Sequence, residues 1–223
     1  NANVTLADWD YDPDGNLSVN LTAYWKFDEP TSSNNRSDYK GNTNLKPNGS
    51  ISTSVGVRGN AINLSGADNR FLNASYTPDI DSQNNTLTIS ACVNLNGKPT
   101  GAELRTIIAR PNESSNNLKN DYILWYDTGA VAAEQFLWQA AVDCRVSSTT
   151  ATPGNWYFVV AWFDKDALTT NIQVNDGAIS STSCPVGMSN FSGGFLRIGS
   201  QGNDVRFWNG SIDQVKIWNK ALT

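Results

Sequence analysis

The feature that most constrains this chain is its punctuation. Short runs rich in β-branched and aromatic residues recur along most of its length, each closed by Gly, Asn, Asp, Ser or Pro. Such runs read as strands, and the closing residues read as turns. The runs are Leu21–Glu29, Asn60–Ser65, Arg70–Ser75, Thr86–Leu95, Leu104–Arg110, Asp121–Tyr126, Gln135–Val146, Asn155–Phe163, Asn171–Ile179, Phe195–Ser200, Val205–Asn209 and a last one from Gly210. Helical turns are expected only at Gly129–Gln135 and Lys165–Leu168. Many short strands with turn signals between them, and no helical period to cover a parallel sheet, imply an all-β antiparallel sandwich.

The closing run organises the others. In Gly210–Thr223, Ile212, Val215, Ile217 and Leu222 are apolar, whereas Asp213, Lys216 and Asn219 are polar. Alternation from Gln214 to Trp218 is that of a half-buried strand. Its expected partner is the first run, where Ala23, Trp25 and Phe27 alternate with Tyr24 and Lys26. The Asn155–Phe163 run is apolar almost throughout, as expected of a strand covered on both faces. Asp176-Gly177 can supply the positive φ of a hairpin turn within Asn171–Ile179. Residues 1–20 are polar and are expected to form an arm or the tail of a preceding module, with one domain over 21–223.

The phrases "AYWKFDE", "GVRGNAINLSGADNRFL", "NTLTISACVNL", "GNWYFVVAWFD", "TNIQVNDGAI" and "GSIDQVKIWNKAL" resemble the laminin-G-like, concanavalin-A-like jelly roll. The resemblance runs over residues 21–223 and implies that fold. Its motifs are specific for architecture and say little about function.

Composition excludes several chemistries. The net charge is −5 with no basic run, which is unsuited to nucleic-acid phosphates or anionic membranes. No stretch approaches the roughly 20 apolar residues of a membrane span. The chain begins at Asn1 without a signal peptide, which suggests processing or excision. There is no His, so Ser-His-Asp and Cys-His catalysis have no base. The four Glu residues (Glu29, Glu103, Glu113 and Glu134) form no Glu-x-Asp-x-x-Glu cluster of the kind that related glycanases carry on one strand. The chain is therefore expected not to be an enzyme.

Asp10, Asp12, Asp14 and Gly15 have the spacing that opens a calcium loop, but Leu21 stands where an EF-hand needs its bidentate Glu. The family resemblance implies a different, structural calcium where the first and last strands meet a loop. Asp28 and Asp213 would supply carboxylates, and Asn42 and Asn44 amide or backbone oxygens, with Asp38 as a further acid. The other reading is that Asp213 accepts backbone amides in a turn and Asp28 merely ends a strand. Cys92 reads as a buried, inert thiol where the resembled domains usually carry Trp. Cys144 and Cys184 can pair only if their strands are neighbours, and this remains open at the level of sequence.

Trp25, Trp138, Trp156, Trp162 and Trp218 lie in apolar strand patterns and read as core. Sugar rings stack their C–H faces on exposed aromatic rings while Asn, Asp and Arg bind the hydroxyls. Trp125, Tyr126, Asn203, Arg206 and Trp208 form the expected glycan-binding set, ordinary edge packing being the alternative. Asn-x-Ser/Thr triplets begin at Asn3, Asn16, Asn20, Asn35, Asn48, Asn63, Asn73, Asn84, Asn112, Asn190 and Asn209, and point to an extracellular, cell-surface or virion-surface protein. The expected function is a non-catalytic carbohydrate-binding or adhesion module whose partner is a glycan or surface polysaccharide. The alternative is a structural subunit of a surface assembly, such as a virion decoration or fibre protein or an extracellular filament, contacting neighbouring subunits through residues 1–20.

Overall fold

The computed structural model describes residues 18–66, 69–81, 86–97, 103–111, 120–129, 134–141, 143–188, 194–202 and 205–221. Most of the expected arm, the Asp10–Gly15 spacing and Asn203 lie outside these residues. Strands are numbered along the chain. The first eight are β1 (Leu21–Trp25), β2 (Lys46–Asn48), β3 (Ser52–Val55), β4 (Asn60–Ser65), β5 (Phe71–Ser75), β6 (Leu87–Leu95), β7 (Leu104–Pro111) and β8 (Asn120–Asp127). The rest are β9 (Gln135–Ala141), β10 (Cys144–Thr150), β11 (Trp156–Asp164), β12 (Thr169–Val174), β13 (Ser180–Ser183), β14 (Phe195–Ile198) and β15 (Asn209–Trp218).

They form two antiparallel sheets. Sheet I has the order β13-β12-β11-β6-β15-β4-β3, with β1 also pairing with β15. Sheet II has the order β10-β9-β8-β7-β14-β5-β2. Inward residues of both sheets interdigitate in one core that includes Trp25, Phe27, Ile89, Val93, Tyr122, Trp138, Phe163 and Ile217. The fold is the expected antiparallel β-sandwich of jelly-roll type.

The last strand pairs with the first as expected, Tyr24 opposite Lys216 and Trp25 opposite Val215. On its other side β15 pairs with β6, and the register shifts between Asp213 and Lys216. Gln214 sits there at φ 51°, a bulge that places Asp213 and Gln214 consecutively between the inward Ile212 and Val215. Strict alternation would have sent one of them into the core.

Several expectations change. Gln135–Val146 is not one run but the β9–β10 hairpin, turning around Asp143 at φ 69°. In the β12–β13 connection the positive φ falls on Asn175, at 54°, rather than on Gly177. Lys165–Leu168 is a turn, as expected, whereas the 3₁₀ turn at Pro78–Ile80 had no counterpart in the sequence reading. The polar stretch before Gly49 contributes β2, where Pro47 is tolerated because the strand lies at a sheet edge. Val205 makes only an isolated bridge to Gln201.

Cys144 and Cys184 are bonded, with Cα atoms 5.2 Å apart. They sit at the β10 edge of sheet II and just beyond the β13 edge of sheet I, so the disulfide closes one side of the sandwich. Cys92 is a buried free thiol, as expected. Trp25 and Trp138 are core residues. Trp162 and Trp218 are buried on the outer face of sheet I, in one row with Thr88 between them, and Trp156 is half-buried.

Candidate functional site: an outward cleft on sheet II

The expected ligands of a structural calcium fall into two hydrogen-bond systems. Asp28 and Asp213 converge on the Gly56–Asn60 loop. Asp213 Oδ2 accepts the N–H groups of Val57 (2.9 Å) and Arg58 (3.1 Å), and Asp28 Oδ1 accepts that of Asn60 (2.9 Å). The loop fits because two of its residues lack side chains. A Cβ on Gly56 would lie 2.6 Å from Asp213 Oδ2, and one on Gly59 only 2.1 Å from Asp28 Oδ1. The second system is Asp38, whose carboxylate accepts N–H groups from Tyr24 (2.8 Å), Lys40 (3.0 Å), Asn42 (3.2 Å) and Thr43 (3.0 Å). Asn44 Oδ1 in turn accepts the Asp38 N–H at 2.8 Å.

These carboxylates face amide hydrogens, whereas a hard cation needs several free oxygens. Among the described residues no three His, Cys, Asp or Glu side chains gather as a metal site. The residues present do not fit a resident calcium ion. Asp213 follows the other sequence reading, a turn-capping carboxylate. It is fully buried, and burial pushes its pKa up to about 6 against the opposing backbone hydrogen bonds.

The expected glycan-stacking residues are not at a surface. Trp208 is 0 % exposed, Tyr126 2 % and Trp125 3 %. Trp208 and Tyr126 point into the main core, and Tyr126 donates its hydroxyl to Ala151 O at 2.5 Å. Trp125 alternates to the outer face of sheet II but is enclosed there with Ala109, Ile123 and Leu137. Arg206, at φ 58°, turns its guanidinium onto Gln201 Oε1. No ring in this set offers an open face for a sugar, because the sandwich core and an outer apolar cluster take up the indoles and the phenol.

A different group does meet those requirements. On sheet II, Leu72 and Ala74 of β5 and Leu196 and Ile198 of β14 face the core. Their alternating neighbours Phe71, Asn73, Phe195 and Arg197 therefore face outward. Cross-strand register aligns Lys46, Asn73 and Arg197 in one row, with Asn48 opposite Phe71 in the next. Together with Gly49 and Asn69, the residues Asn48, Phe71, Asn73, Phe195 and Arg197 line an open cleft of about 580 Å³. That volume is within the usual range of small-ligand sites.

The cleft is held by local geometry. Gly49, at φ +72°, has Asn69 O just 2.6 Å from where a Cβ would stand, so its lack of a side chain allows the wall to close. Asn48 Nδ2 donates to the same oxygen at 3.0 Å. Arg197 Cζ lies 4.6 Å above the Phe71 ring, and Phe71 stacks on Phe207 at 6.5 Å. Phe71 is thus the covered floor, whereas Phe195, 42 % exposed, is the ring open to a ligand. An exposed aromatic face, three amides and a guanidinium can bind C–H faces and hydroxyls together. The signal in the sequence was the alternation in "FLRI" and "FLNAS", which a search restricted to Trp and Tyr passes over.

No curated protein matches the chain. Among solved structures it is similar to domain 4 of AbnA, an extracellular arabinanase from Geobacillus stearothermophilus in complex with arabinotriose (19 % identity, 91 % of this chain and 94 % of that one, TM-score 0.63). It is also similar to Trypanosoma rangeli sialidase in complex with the inhibitor DANA (13 % identity, 91 % of this chain and 31 % of that one, TM-score 0.64). A third is the binding domain of Paraclostridial Mosquitocidal Protein 1 (16 % identity, 92 % of this chain and 50 % of that one, TM-score 0.64). The chain thus spans about a third of the sialidase and half of the mosquitocidal binding domain. At these identities the likeness shows the fold. A family model, Laminin_G_3, matches residues 68–223, and with the two-sheet sandwich this shows that the chain belongs to the concanavalin A-like lectin/glucanases superfamily.

Proposed function

We propose that this chain is a non-catalytic carbohydrate-binding module working outside the cell or on a particle surface, with the sheet II cleft as its binding site. The observation that carries the proposal is Phe195, an exposed ring lining a cleft together with three amides, Gly49, Phe71 and Arg197. Sugar C–H faces stack on such a ring, and Asn48, Asn69 and Asn73 supply both donors and acceptors for hydroxyls. No carboxylate lines the cleft among the described residues, so the paired acids of glycoside hydrolysis have no counterpart there. The AbnA domain, whose structure holds arabinotriose and nearly all of which this chain spans, supports the same coarse class.

The test is an oligosaccharide array followed by calorimetry on protein made without N-glycosylation, because Asn48 and Asn73 both begin acceptor triplets. Removing the stacking ring should cost roughly 1–1.5 kcal/mol, or about tenfold in affinity. Phe195→Ala should therefore weaken binding about tenfold with an unchanged melting temperature. Absence of binding across the array, or a variant that binds as tightly as the parent, would refute the proposal.

A further inference from the structure

We infer that Asn73 is an N-glycosylation site and that the first sugar residue of its glycan occupies the sheet II cleft, closing it to other saccharides. This concerns the regulation of the proposed binding site and rests on that reading. Asn73-Ala74-Ser75 is an acceptor triplet with no Pro at its centre. Asn73 faces outward from the middle of β5 and lines the cleft. Among the described residues its carboxamide makes no hydrogen bond. Two other strand asparagines that begin triplets have theirs engaged. Asn48 Nδ2 donates to Asn69 O at 3.0 Å, and Asn63 Nδ2 donates to Ser211 Oγ at 3.5 Å. Ser75, which completes the Asn73 triplet, is exposed at the end of the same strand.

Register decides where such a glycan begins. Ser75 stands opposite Phe195 and Asn73 opposite Arg197, so the Phe195 ring is the diagonal neighbour of the Asn73 side chain on one outward face. Diagonal neighbours are about 7–8 Å apart, a gap that one pyranose on the carboxamide nitrogen bridges. Phe195 is 42 % exposed and presents its ring to the C–H face of that sugar. The cleft, at about 580 Å³, has room for it. In the transfer, Asn73 Nδ2 displaces a lipid diphosphate from C1 of an oligosaccharide donor. The N–C1 bond forms, the C1–O bond to the diphosphate breaks, and one amide proton is released. Because the bond is permanent, the first sugar stays in the cleft whatever its own affinity, and a free saccharide competes with a tethered one. The chain with and without this glycan is therefore the closed and the open form of one site.

The experiment compares three forms on one oligosaccharide array. The first is unglycosylated protein from a bacterial host; the second and third are secreted by an animal cell line, one with Ser50→Ala and one with Ser50→Ala and Ser75→Ala. Ser50→Ala removes the Asn48 triplet from both secreted forms, and both serines are exposed, so neither substitution disturbs the core. Peptide mass mapping should find a glycan on Asn73 in the Ser50→Ala form and none in the double variant. The Ser50→Ala form should bind the array at least about tenfold more weakly than the other two. Trimmed to its first sugar residue by an endoglycosidase, it should stay closed and melt about 2–4 °C above the double variant, and Phe195→Ala should erase that difference. An Asn73 without glycan, equally tight array binding by both secreted forms, or a melting difference that survives Phe195→Ala overturns the inference. If no form binds any saccharide but the Phe195-dependent melting shift remains, the carbohydrate-binding reading fails and the glycan contact stands.

Discussion

A buried ion cluster ties the crossover between the sheets to the core, and removing Asp81 should show how much the fold depends on it. Asp81 follows the 3₁₀ turn that connects β5 of sheet II to β6 of sheet I. Its Oδ1 lies 3.0 Å from Arg110 Nη1 and its Oδ2 accepts the Tyr76 hydroxyl at 2.7 Å. Arg110 also bonds Asp121, and all three side chains are buried. The Tyr122 hydroxyl holds Ile80 O of the same turn at 2.9 Å. Breaking a buried ion pair by removing one partner costs about 3–5 kcal/mol, and because Asp121 remains, Asp81→Ala belongs near the lower end, at about 3 kcal/mol. For a chain of this length each kcal/mol lowers the melting temperature by roughly 2–4 °C, so a fall of roughly 6–12 °C is expected. Arg110→Ala should cost more, because it leaves two buried carboxylates facing each other. Replacing all three by apolar residues of similar volume should recover most of the loss, since buried charges give up hydration that a hydrophobic cluster never has. Urea unfolding with a constant m-value, supported by calorimetry, makes the comparison. A loss below about 1 kcal/mol for Asp81→Ala would refute the reasoning, because it would place the triad in the range of surface pairs.

Burial raises the Asp213 pKa to about 6 from 3.8, so folding binds its proton more tightly. Its contribution to stability is therefore full below about pH 4 and lost as pH rises through 6, a swing of about 3 kcal/mol; Asp213→Asn should flatten the unfolding free energy over that window, and an unchanged slope would contradict this. Gly59→Ala should destabilise by about 2 kcal/mol or more, since it combines φ +67° with a Cβ 2.1 Å from Asp28, whereas Gly41→Ala, at φ +90° in open space, should cost only the backbone strain of about 1 kcal/mol. Opening the Cys144–Cys184 bond, which spans 40 residues, should cost about 4 kcal/mol on chain-entropy grounds, and non-reducing peptide mapping should find Cys92 unmodified until the protein unfolds. Chelator should leave the melting temperature unchanged and added calcium should not raise it, because amide hydrogens face the rim carboxylates; a chelator-sensitive melt would restore the ion to this fold.

The architecture was legible because it depends on period and punctuation. Alternation along Leu21–Phe27 and Gln214–Trp218 named both the strands and their inward faces, and β1 pairs with β15 in the matching register. Turn residues marked most strand ends, since Gly and Asn adopt positive φ at low cost wherever they stand in the chain. They located turns better than they identified them: Asn175 took the left-handed position expected of the Asp176-Gly177 pair. The β15 bulge escaped notice because a bulge is set by both strands of a pair, and Gln214 carries no local sign of φ 51°.

The candidate site was less legible, for a related reason. From its own residues the chain determined a sandwich, the absence of histidine chemistry, and the inward faces of its first and last strands at Ala23, Trp25, Phe27, Val215 and Ile217. It did not determine which outward face is open. Trp208 and Tyr126 are large and amphipathic, and sequence does not separate a ring at a surface from a ring at 0–2 % exposure. Burial depends on what packs across the gap, and that is a property of distant segments. The cleft joins Asn48, Asn69, Asn73 and Arg197 from different strands and a loop, and only the order β14-β5-β2 makes them neighbours. The disulfide has the same origin. Cys144 lies in sheet II and Cys184 just beyond the β13 edge of sheet I, and only the closure of the sandwich brings their Cα atoms to 5.2 Å. Period and composition are local and survive in the sequence, whereas enclosure and adjacency between sheets exist only once the chain has folded.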